Sequence, residues 1–265
     1  MSKIIALANQ KGGVGKTTTT INLAFDLARR GKKVLVIDLD PQGNTTSGFG
    51  IDKQAVKNSV YEVLLGECTP KEAIGKIAFK NHKEKSTVSL WLLPSKVDLA
   101  GAEIEIADVE GKEYLLRDNM ASVCDRYDYI LVDCPPSLGL LTVNAMTTAD
   151  SILIPVQCEY YALEGLAQLL NTIGLVQERL NEKLKIEGIV FTMYDSHTKL
   201  SRQVVEDVRD NLDLYIFEQP VPRNVRLAEA PSYGEPIEVY DKKCNGAKAY
   251  KKLAKELLKK EKESE

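Results

Sequence analysis

Short apolar runs recur along the chain, and stretches with helical periodicity separate them. The apolar runs cover residues 4–8, 34–37, 88–93, 129–132, 151–156 and 186–193. The helical patterns cover residues 17–30, 97–102, 113–124, 138–147, 162–180 and 202–212. Runs that are apolar on both faces and alternate with helices are typical of a parallel sheet that helices cover on both sides. The pattern therefore predicts an α/β fold with a mainly parallel sheet and with ligands at the carboxyl ends of its strands.

Two segments fall outside this alternation. Residues 52–85 are the least regular part of the chain, and we expect short helices there that form an excursion over the strand ends. Residues 245–262 have helical spacing and lie in a stretch, 242–262, that contains nine lysines. Because no Pro/Gly/Ser-rich linker interrupts the pattern, the sequence predicts one domain over residues 1–265.

Composition narrows the class of protein. Of the 265 residues, 44% are hydrophobic and 28% are charged, which is typical of a globular chain with a full core. The five cysteines include no CxxC pair, so neither a disulfide framework nor a zinc site is indicated. No apolar run approaches the roughly 18 residues of a membrane span. We therefore expect a cytoplasmic protein, and its net charge of -3 excludes a chain that coats nucleic acid with its whole surface.

A glycine-rich loop directly follows the first apolar run. Gly12, Gly13 and Gly15 allow backbone N–H groups to turn toward an anion, and a helix begins near Lys16. Lys16 would reach the outer phosphates of a nucleotide, and the Thr17 hydroxyl would take a magnesium position. The spacing G-x-x-x-x-G-K-[ST] is not fully met, because its first glycine falls on Gln10. The loop also carries a second lysine, at position 11, which the phosphate loop itself does not require.

Carboxylates follow two of the apolar runs. Asp133 ends the run 129–132, which is where a nucleoside triphosphatase needs an acid for its metal shell. Asp38 and Asp40 follow the run 34–37. Asp40 is a candidate for orienting the attacking water, and Asp38 for holding either the loop or the metal shell.

These segments together resemble the ParA/MinD family of deviant Walker A P-loop ATPases, and in particular its small chromosomal ParA group, often called Soj. The resemblance covers nearly the whole chain. KGGVGKTT at residues 11–18 matches the family's loop, DLDPQGN at 38–44 its first switch, and VDCPPS at 132–137 its Walker B and second switch. Segments 155–165 and 222–231 match as well. The resemblance implies the P-loop NTPase fold, ATP and Mg²⁺ as ligands, and ATP hydrolysis.

The resemblance also implies a role for each motif residue. Lys11 would cross an ATP-bound sandwich dimer to the phosphates held by the other subunit, where its charge would act as an arginine finger does. Lys11 and Lys16 would assist hydrolysis, and Asp40 would act on the water. Nucleotide contacts are implied for Lys11, Gly12, Gly13, Val14, Gly15, Lys16, Thr17 and Thr18, with Met193, Pro222 and Asn224 near adenine. Metal contacts are implied for Thr17, Asp38 and Asp133.

The implied function is DNA segregation for a chromosome or plasmid. The ATP dimer would bind double-stranded DNA without sequence specificity, localise to the nucleoid, and be released when a ParB-type partner stimulates hydrolysis. Candidate phosphate contacts are Lys199, Arg202, Arg223 and Arg226. The lysine-rich C-terminal helix is either a further DNA contact or an ordinary solvated face.

Three other functions remain as alternatives. The first is a MinD-like positioning ATPase, whose C-terminal helix would bind a membrane. We expect no stable membrane association, because Tyr250, Leu253, Leu257 and Leu258 are expected to pack on the sheet. The second, a nitrogenase-type iron-sulfur reductase, requires a pair of cysteines that Cys134 and Cys158 do not match. The third, a metabolic ligase or kinase, leaves Lys11 unexplained.

Overall fold

The computed structural model describes residues 2–81, 86–159 and 162–264. In this part of the chain, a seven-stranded sheet forms the centre of the molecule. The strands are β1 (Lys3–Leu7), β2 (Val34–Asp38), β3 (Gly75–Asn81), β4 (Ser86–Leu93), β5 (Tyr129–Asp133), β6 (Ser151–Gln157) and β7 (Lys185–Thr192). Their order across the sheet is β3-β4-β2-β5-β1-β6-β7, and β3 is antiparallel to β4 whereas the other neighbours are parallel. The predicted fold class is confirmed.

Helices lie on both faces of this sheet. They are α1 (Lys16–Arg29), α2 (Asn44–Gly48), α3 (Val60–Leu65), α4 (Pro70–Ala73), α5 (Leu99–Glu105), α6 (Leu115–Met120), α7 (Leu140–Thr148), α8 (Ala162–Arg179), α9 (Lys199–Asn211), α10 (Val225–Glu229), α11 (Ile237–Asp241) and α12 (Asn245–Ser264). Short 3-10 helices cover Lys53–Ala55, Lys112–Tyr114, Cys124–Arg126 and Ala230–Tyr233.

Side-chain alternation in the central strands builds two cores. In β1, Ile4 and Ala6 belong to the core on one face of the sheet, and Ile5 and Leu7 belong to the core on the other. Every residue of β2 and β5 is buried. Since both faces of these strands are covered, they read as continuous apolar runs rather than as alternating ones.

One strand was missed by the sequence interpretation. The segment 52–85, expected to be an excursion with short helices, contributes β3 to the sheet as an antiparallel edge strand. Ile77 and Phe79 face the core, whereas Lys76, Ala78 and Lys80 are exposed. An edge strand with one covered face alternates apolar and polar residues, so a search for runs apolar on both faces does not find it. Residues 82–85 of that segment lie outside the described residues.

Helix α12 covers the core that α1 also covers. Tyr250, Leu253 and Leu257 are buried in that core, and Leu258 is partly buried against it, so all four side chains expected to pack on the sheet contact the core on that face of the sheet. The opposite face exposes lysines 248, 251, 252, 255, 259 and 262. None of the helices in the described part of the chain combines the length and apolar character needed to cross a bilayer.

Candidate functional site

The glycine-rich loop joins β1 to α1 at the carboxyl edge of the sheet. Gly15, directly before α1, has φ +90°, a backbone conformation that residues with a Cβ rarely adopt. The first turn of α1 has no side-chain cap, so its N–H groups are available to an anion. The end of β7 supports the loop, because the Thr192 hydroxyl donates to the Val14 carbonyl at 2.7 Å.

The two lysines of the loop lie in different environments. Lys16 is 6% exposed, and its Nζ donates to the carbonyls of Asn9 (3.0 Å) and Lys11 (3.3 Å). Burial lowers the pKa of Lys16, although the nearby Asp133 opposes that shift. The side chain of Lys11 is 40% exposed, and its Nζ lies 2.5 Å from Oε2 of Glu159. Lys16 therefore belongs to the floor of the loop, whereas Lys11 belongs to the surface.

The backbone of Lys11 is fixed independently of its side chain. Its N–H donates to Oδ1 of Asn9 at 2.9 Å, and Nδ2 of Asn9 donates to the Pro155 carbonyl of β6 at 2.7 Å. Asn9 is 6% exposed. The loop entrance is thus tied to β6, and Asn9 is a supporting residue to which the sequence interpretation gave no role.

Asp133 lies directly beneath the start of α1. Its Oδ2 accepts hydrogen bonds from the hydroxyls of Thr17 (2.8 Å) and Thr45 (2.7 Å), and its Oδ1 accepts from Thr20 at 3.3 Å. Asp133 and Asp38 are paired in register at the ends of β5 and β2, and both side chains are fully buried. Burial raises the pKa of both carboxyls, and for Asp38 the charge of Asp133 adds to that shift. The structure thus brings together two of the three residues predicted for the metal, Thr17 and Asp133, by a direct hydrogen bond.

The third, Asp38, is engaged by the first switch segment. Its Oδ2 accepts from both the N–H (2.7 Å) and the hydroxyl (2.6 Å) of Thr46, and its Oδ1 accepts from the N–H of Asp40 at 3.3 Å. Of the two roles considered for Asp38, these contacts fit the holding of the loop. Asp40 is 6% exposed, and its Oδ1 accepts from the N–H of Gln42 at 2.9 Å. The Ser95 hydroxyl, from the end of β4, supports Asp40 by donating to its carbonyl at 2.8 Å.

A cleft of about 340 Å³ opens beside the loop. It is lined by Gly15 and Thr18, by apolar side chains such as Val221 and Leu227, and by the three residues predicted near adenine, Met193, Pro222 and Asn224. Met193 has φ +51° and leads into a backbone bridge between Tyr194 and Pro222. Tyr250 of α12 forms part of the wall, with its OH 3.1 Å from the Thr19 hydroxyl. The cleft thus adjoins the first turn of α1, where a nucleotide base would extend from phosphates in the loop.

A larger cleft of about 620 Å³ lies at the opposite edge of the sheet. Its lining includes Lys3, Glu187 and Lys260, and Glu187 forms ion pairs with both lysines at 2.8 Å. These contacts join α12 to β1 and β7. The smaller cleft beside the loop is the one that adjoins the predicted chemistry.

The arginines and lysines predicted to contact DNA are exposed near the end of β7. Lys199 and Arg202 lie in the first turn of α9. The N–H of Arg223 donates to the Tyr194 carbonyl at 3.2 Å, which joins the Arg223 segment to the chain just before α9. Arg226 is exposed and forms an ion pair with Glu229 at 2.9 Å.

The sequence interpretation missed several residues that shape this site. Thr45 and Thr46 directly follow the first switch motif, so a reading extended by two residues would have found their hydroxyls. Glu159 lies inside a matched segment but carried no assigned role. Thr192 and Tyr250 gave no local signal, because only the fold brings residues so far along the chain to the loop.

The residues present fit a nucleotide with Mg²⁺. An uncapped helix start suits phosphate, and a hydroxyl beside a buried carboxylate supplies the oxygen ligands that Mg²⁺ prefers. The described residues contain no cluster of three or more His, Cys, Asp or Glu arranged to hold a metal alone.

Known proteins are similar to this chain over nearly its whole length. Residues 2–186 match the family model AAA_31, an AAA domain. The Bacillus subtilis sporulation initiation inhibitor protein Soj is 51% identical over 257 residues, which cover 97% of this chain and 98% of that protein. The chromosome partitioning protein ParA of Myxococcus xanthus is 48% identical over 261 residues, covering 98% of this chain and 89% of that protein.

Solved structures share the fold. A cobyrinic acid a,c-diamide synthase from Mycobacterium smegmatis, with a bound ATP analog and magnesium, has a TM-score of 0.83 and 39% identity, covering 100% of this chain and 98% of that chain. The septum site-determining protein MinD from Pyrococcus horikoshii, complexed with Mg-ADP, has a TM-score of 0.77 and 27% identity, covering 98% of each chain. The resemblance inferred from the motifs is confirmed, and the chain belongs to the ParA/Soj family of P-loop ATPases.

Proposed function

We propose that the protein is a DNA-segregation ATPase that binds ATP and Mg²⁺, forms a sandwich dimer around ATP, and binds DNA without sequence specificity in that form. Hydrolysis stimulated by a ParB-type partner releases the dimer from DNA. The name of the Myxococcus xanthus relative, a chromosome partitioning protein, supports a role in partitioning. On this proposal the protein is cytoplasmic and associates with the nucleoid.

The contrast between the two loop lysines carries the proposal. Lys16 is buried beneath its own loop and serves the nucleotide of its own chain. Lys11 has a fixed backbone but a half-exposed side chain at the rim of the loop, where a second chain has access to it. A lysine in that position supplies positive charge to phosphates bound by a partner, which stabilises the charge that develops during hydrolysis.

The other site residues take their roles within one chain. The N–H groups of residues 12–17 and the Lys16 ammonium bind the phosphates, and Met193, Pro222 and Asn224 contact adenine. The Thr17 hydroxyl and the Asp133 carboxylate beside it would hold the metal. When bound, Mg²⁺ neutralises phosphate charge. Asp40 orients the attacking water, and Asp38 holds the switch segment through Thr46.

The exposed cations near the end of β7 support DNA binding. Lys199, Arg202 and Arg223 lie on segments that the Tyr194 backbone joins, so they offer neighbouring contacts to DNA phosphates. Arg226 lies in the next helix, α10, where phosphate competes with Glu229 for its guanidinium. The exposed lysines of α12 offer further positive charge.

A MinD-like membrane role is less well supported than DNA binding. Membrane-surface helices bury a bulky apolar face in the lipid. In α12 the side chains of Tyr250, Leu253 and Leu257 are already buried in the core. Because a MinD structure has a similar fold, the test below includes a measurement of membrane binding.

The test is retention on random-sequence duplex DNA with ATP, with ADP and without nucleotide, beside the same measurement on anionic liposomes. We expect retention on DNA only with ATP, and a steep loss between about 50 and about 200 mM salt. Lys11→Ala should abolish the retention on DNA with ATP. Arg223→Ala should reduce by about 1 the slope of the logarithm of DNA affinity against the logarithm of salt concentration. The matched control is Lys183→Ala, an exposed lysine at the opposite edge of the sheet, which should behave as the unmodified protein does.

Other results would replace the proposal. Retention on liposomes without retention on DNA would indicate a MinD-like function. Retention on neither, with intact ATP binding, would favour a metabolic enzyme, as the name of the Mycobacterium smegmatis structure suggests for that protein. Equal retention with ATP and ADP would contradict the proposed ATP-dependent dimer.

A further inference from the structure

Two adjacent threonines at the start of α2 hold the two buried carboxylates of the site. The Thr45 hydroxyl donates to Oδ2 of Asp133 at 2.7 Å, and the Thr46 hydroxyl donates to Oδ2 of Asp38 at 2.6 Å. All four side chains are fully buried. The turn after β2, closed by the Gly43 N–H on the Asp40 carbonyl at 2.8 Å, leads the chain back over β5. Thr45, the residue directly after the first switch motif, therefore contacts the Walker B carboxylate of Asp133.

We propose that Thr45 is a positioning residue for ATP hydrolysis, which fixes the orientation of the Asp133 carboxylate beside the metal-binding hydroxyl of Thr17. This inference rests on the ATP and Mg²⁺ site proposed above. It assigns a task to a residue that follows the first switch motif and that the motif comparison did not include.

The position of Thr45 differs from those of the other two threonines whose hydroxyls donate to Asp133. Thr17 and Thr20 both lie on α1, and the Thr20 hydroxyl divides its contacts between Asp133 at 3.3 Å and the Lys16 carbonyl at 3.0 Å. Thr45 approaches from a different element and makes the shortest of the three bonds. When Thr17 turns its oxygen toward a metal, Thr45 still restrains the carboxylate from the side of α2.

A purely structural role for Thr45 is less well supported, because Thr46 already anchors α2. Thr46 makes two hydrogen bonds to Asp38, and its hydroxyl oxygen accepts the N–H of Ser95 at 2.9 Å. These contacts do not involve Thr45. Removal of the Thr45 hydroxyl should therefore leave α2 in place and change the orientation of Asp133 alone.

The test compares three variants at one helix. Thr45→Val removes the hydroxyl and keeps the shape, Thr45→Ser keeps the hydroxyl, and Ser47→Ala is the matched control. The hydroxyl of Ser47 also lies on α2, and it donates to the carbonyls of Gly43 and Asn44. The measurements are the Mg²⁺ dependence of binding of a fluorescent, non-hydrolysable ATP analogue, binding of that analogue in EDTA, and the ATPase rate.

We expect Thr45→Val to raise the Mg²⁺ midpoint and lower the ATPase rate by about 10- to 100-fold, the usual range for groups that orient a metal site. Binding in EDTA should stay unchanged, because that condition does not use Asp133. Thr45→Ser should restore both quantities to within about threefold, and Ser47→Ala should match the unmodified protein. If Thr45→Val does not fold, Thr45→Ala repeats the test without added volume.

Three results would overturn the inference. The first is a Thr45→Val protein with an unchanged Mg²⁺ midpoint, and the second is failure of Thr45→Ser to restore it. The third is loss of analogue binding in EDTA, which would assign Thr45 to the packing of α2. If the unmodified protein binds no ATP analogue, the proposed ATP site fails and the inference fails with it.

Discussion

Buried carboxylates in this protein differ in the donors that surround them. Asp133 and Asp38 each accept hydrogen bonds from hydroxyl groups. Asp26 of α1 is 1% exposed, yet both of its carboxylate oxygens lack a hydrogen-bond partner among the described residues. Arg29 lies beside it, with Nε 3.7 Å from Oδ1, and Arg29 also pairs with Glu238 at 2.9 Å. Burial outweighs this attraction and raises the pKa of Asp26 to about 6.

Asp26→Asn should stabilise the protein in a pH-dependent way. The pKa of Asp26 is higher in the folded chain than the usual value of about 3.9, so the ionised group destabilises the fold at high pH. That destabilisation disappears as the pH falls from about 7 to about 4, because the folded chain takes up a proton. At pH 8 the gain should be at most about 3 kcal/mol, since each pKa unit corresponds to about 1.4 kcal/mol.

Urea unfolding at pH 8 and at pH 5 measures this gain. The control is Asp210→Asn on the exposed face of α9, which should change the free energy of unfolding by less than about 0.5 kcal/mol. An Asp26→Asn gain of the same size at both pH values would contradict the assignment.

At the scale of elements, helix α2, which begins at the last residue of the first switch motif, is followed by a glycine that meets a second glycine after α10. Gly50 follows α2, and Gly234 follows the 3-10 helix Ala230–Tyr233. A Cβ on Gly234 would lie 2.5 Å from the Cα of Gly50, and Gly234 has φ +66°. Gly48 also lies beside this segment, with Pro231 as a neighbour. The contact joins the first switch to the part of the chain that carries Arg226.

Gly234→Ala should lower the stability of the protein by several kcal/mol, because the new methyl group overlaps backbone that cannot move aside. Gly111→Ala is the matched control: Gly111 has φ +72°, but nothing lies within 4 Å of an added Cβ. The control should lose only about 1–2 kcal/mol, the cost of the left-handed conformation. Thermal unfolding of both variants measures the difference, and equal losses would show that the glycine contact contributes little.

The sequence was informative wherever a strand is covered on both faces or a motif is contiguous. All six predicted strands and the glycine loop are present, with ends shifted by at most two residues. The pattern at 113–124 predicted one continuous helix, but the chain there forms a 3-10 helix, α6 and a second 3-10 helix. Local periodicity does not record where tertiary packing interrupts a helix.

Side-chain partners of the site were less predictable than its backbone. The loop, Asp133 and Asp40 follow from local spacing, since each lies at or just after the end of an apolar strand. Ser95 reaches Asp40 only because β4 lies beside β2, and Thr192 reaches Val14 only because β7 ends near the loop. Such contacts depend on strand order, which the local patterns of a single sequence do not specify.

At the scale of the whole molecule, the exposed loop lysine is paired within its own chain. Lys11 contacts Glu159, and Nε2 of Gln157 donates to the other oxygen of Glu159 at 2.5 Å. In the proposed dimer Lys11 reaches the phosphates of a partner, so this ion pair must open first. Because the pair is about half exposed, it is worth roughly 0.2–1 kcal/mol.

Glu159→Gln should therefore lower the concentration of ATP analogue needed for dimer formation by about 1.5- to 5-fold. Sedimentation velocity across a series of analogue concentrations measures that shift. Glu178→Gln, at the exposed far end of α8, is the control. If the unmodified protein stays monomeric, the dimer proposal fails. If it dimerises and Glu159→Gln leaves the midpoint unchanged, only the role of the ion pair fails.

Tyr250 forms part of the wall of the cleft beside the loop, so the two sides of the cleft are synthesised at different times. The loop lies within the first 20 residues of the chain, whereas Tyr250 lies on its last helix. A ribosome therefore completes the phosphate loop long before it adds this wall. Nascent chains and fragments that end before α12 lack the Tyr250 side of the cleft, so we expect them to bind nucleotide less tightly than the chain in which α12 has packed.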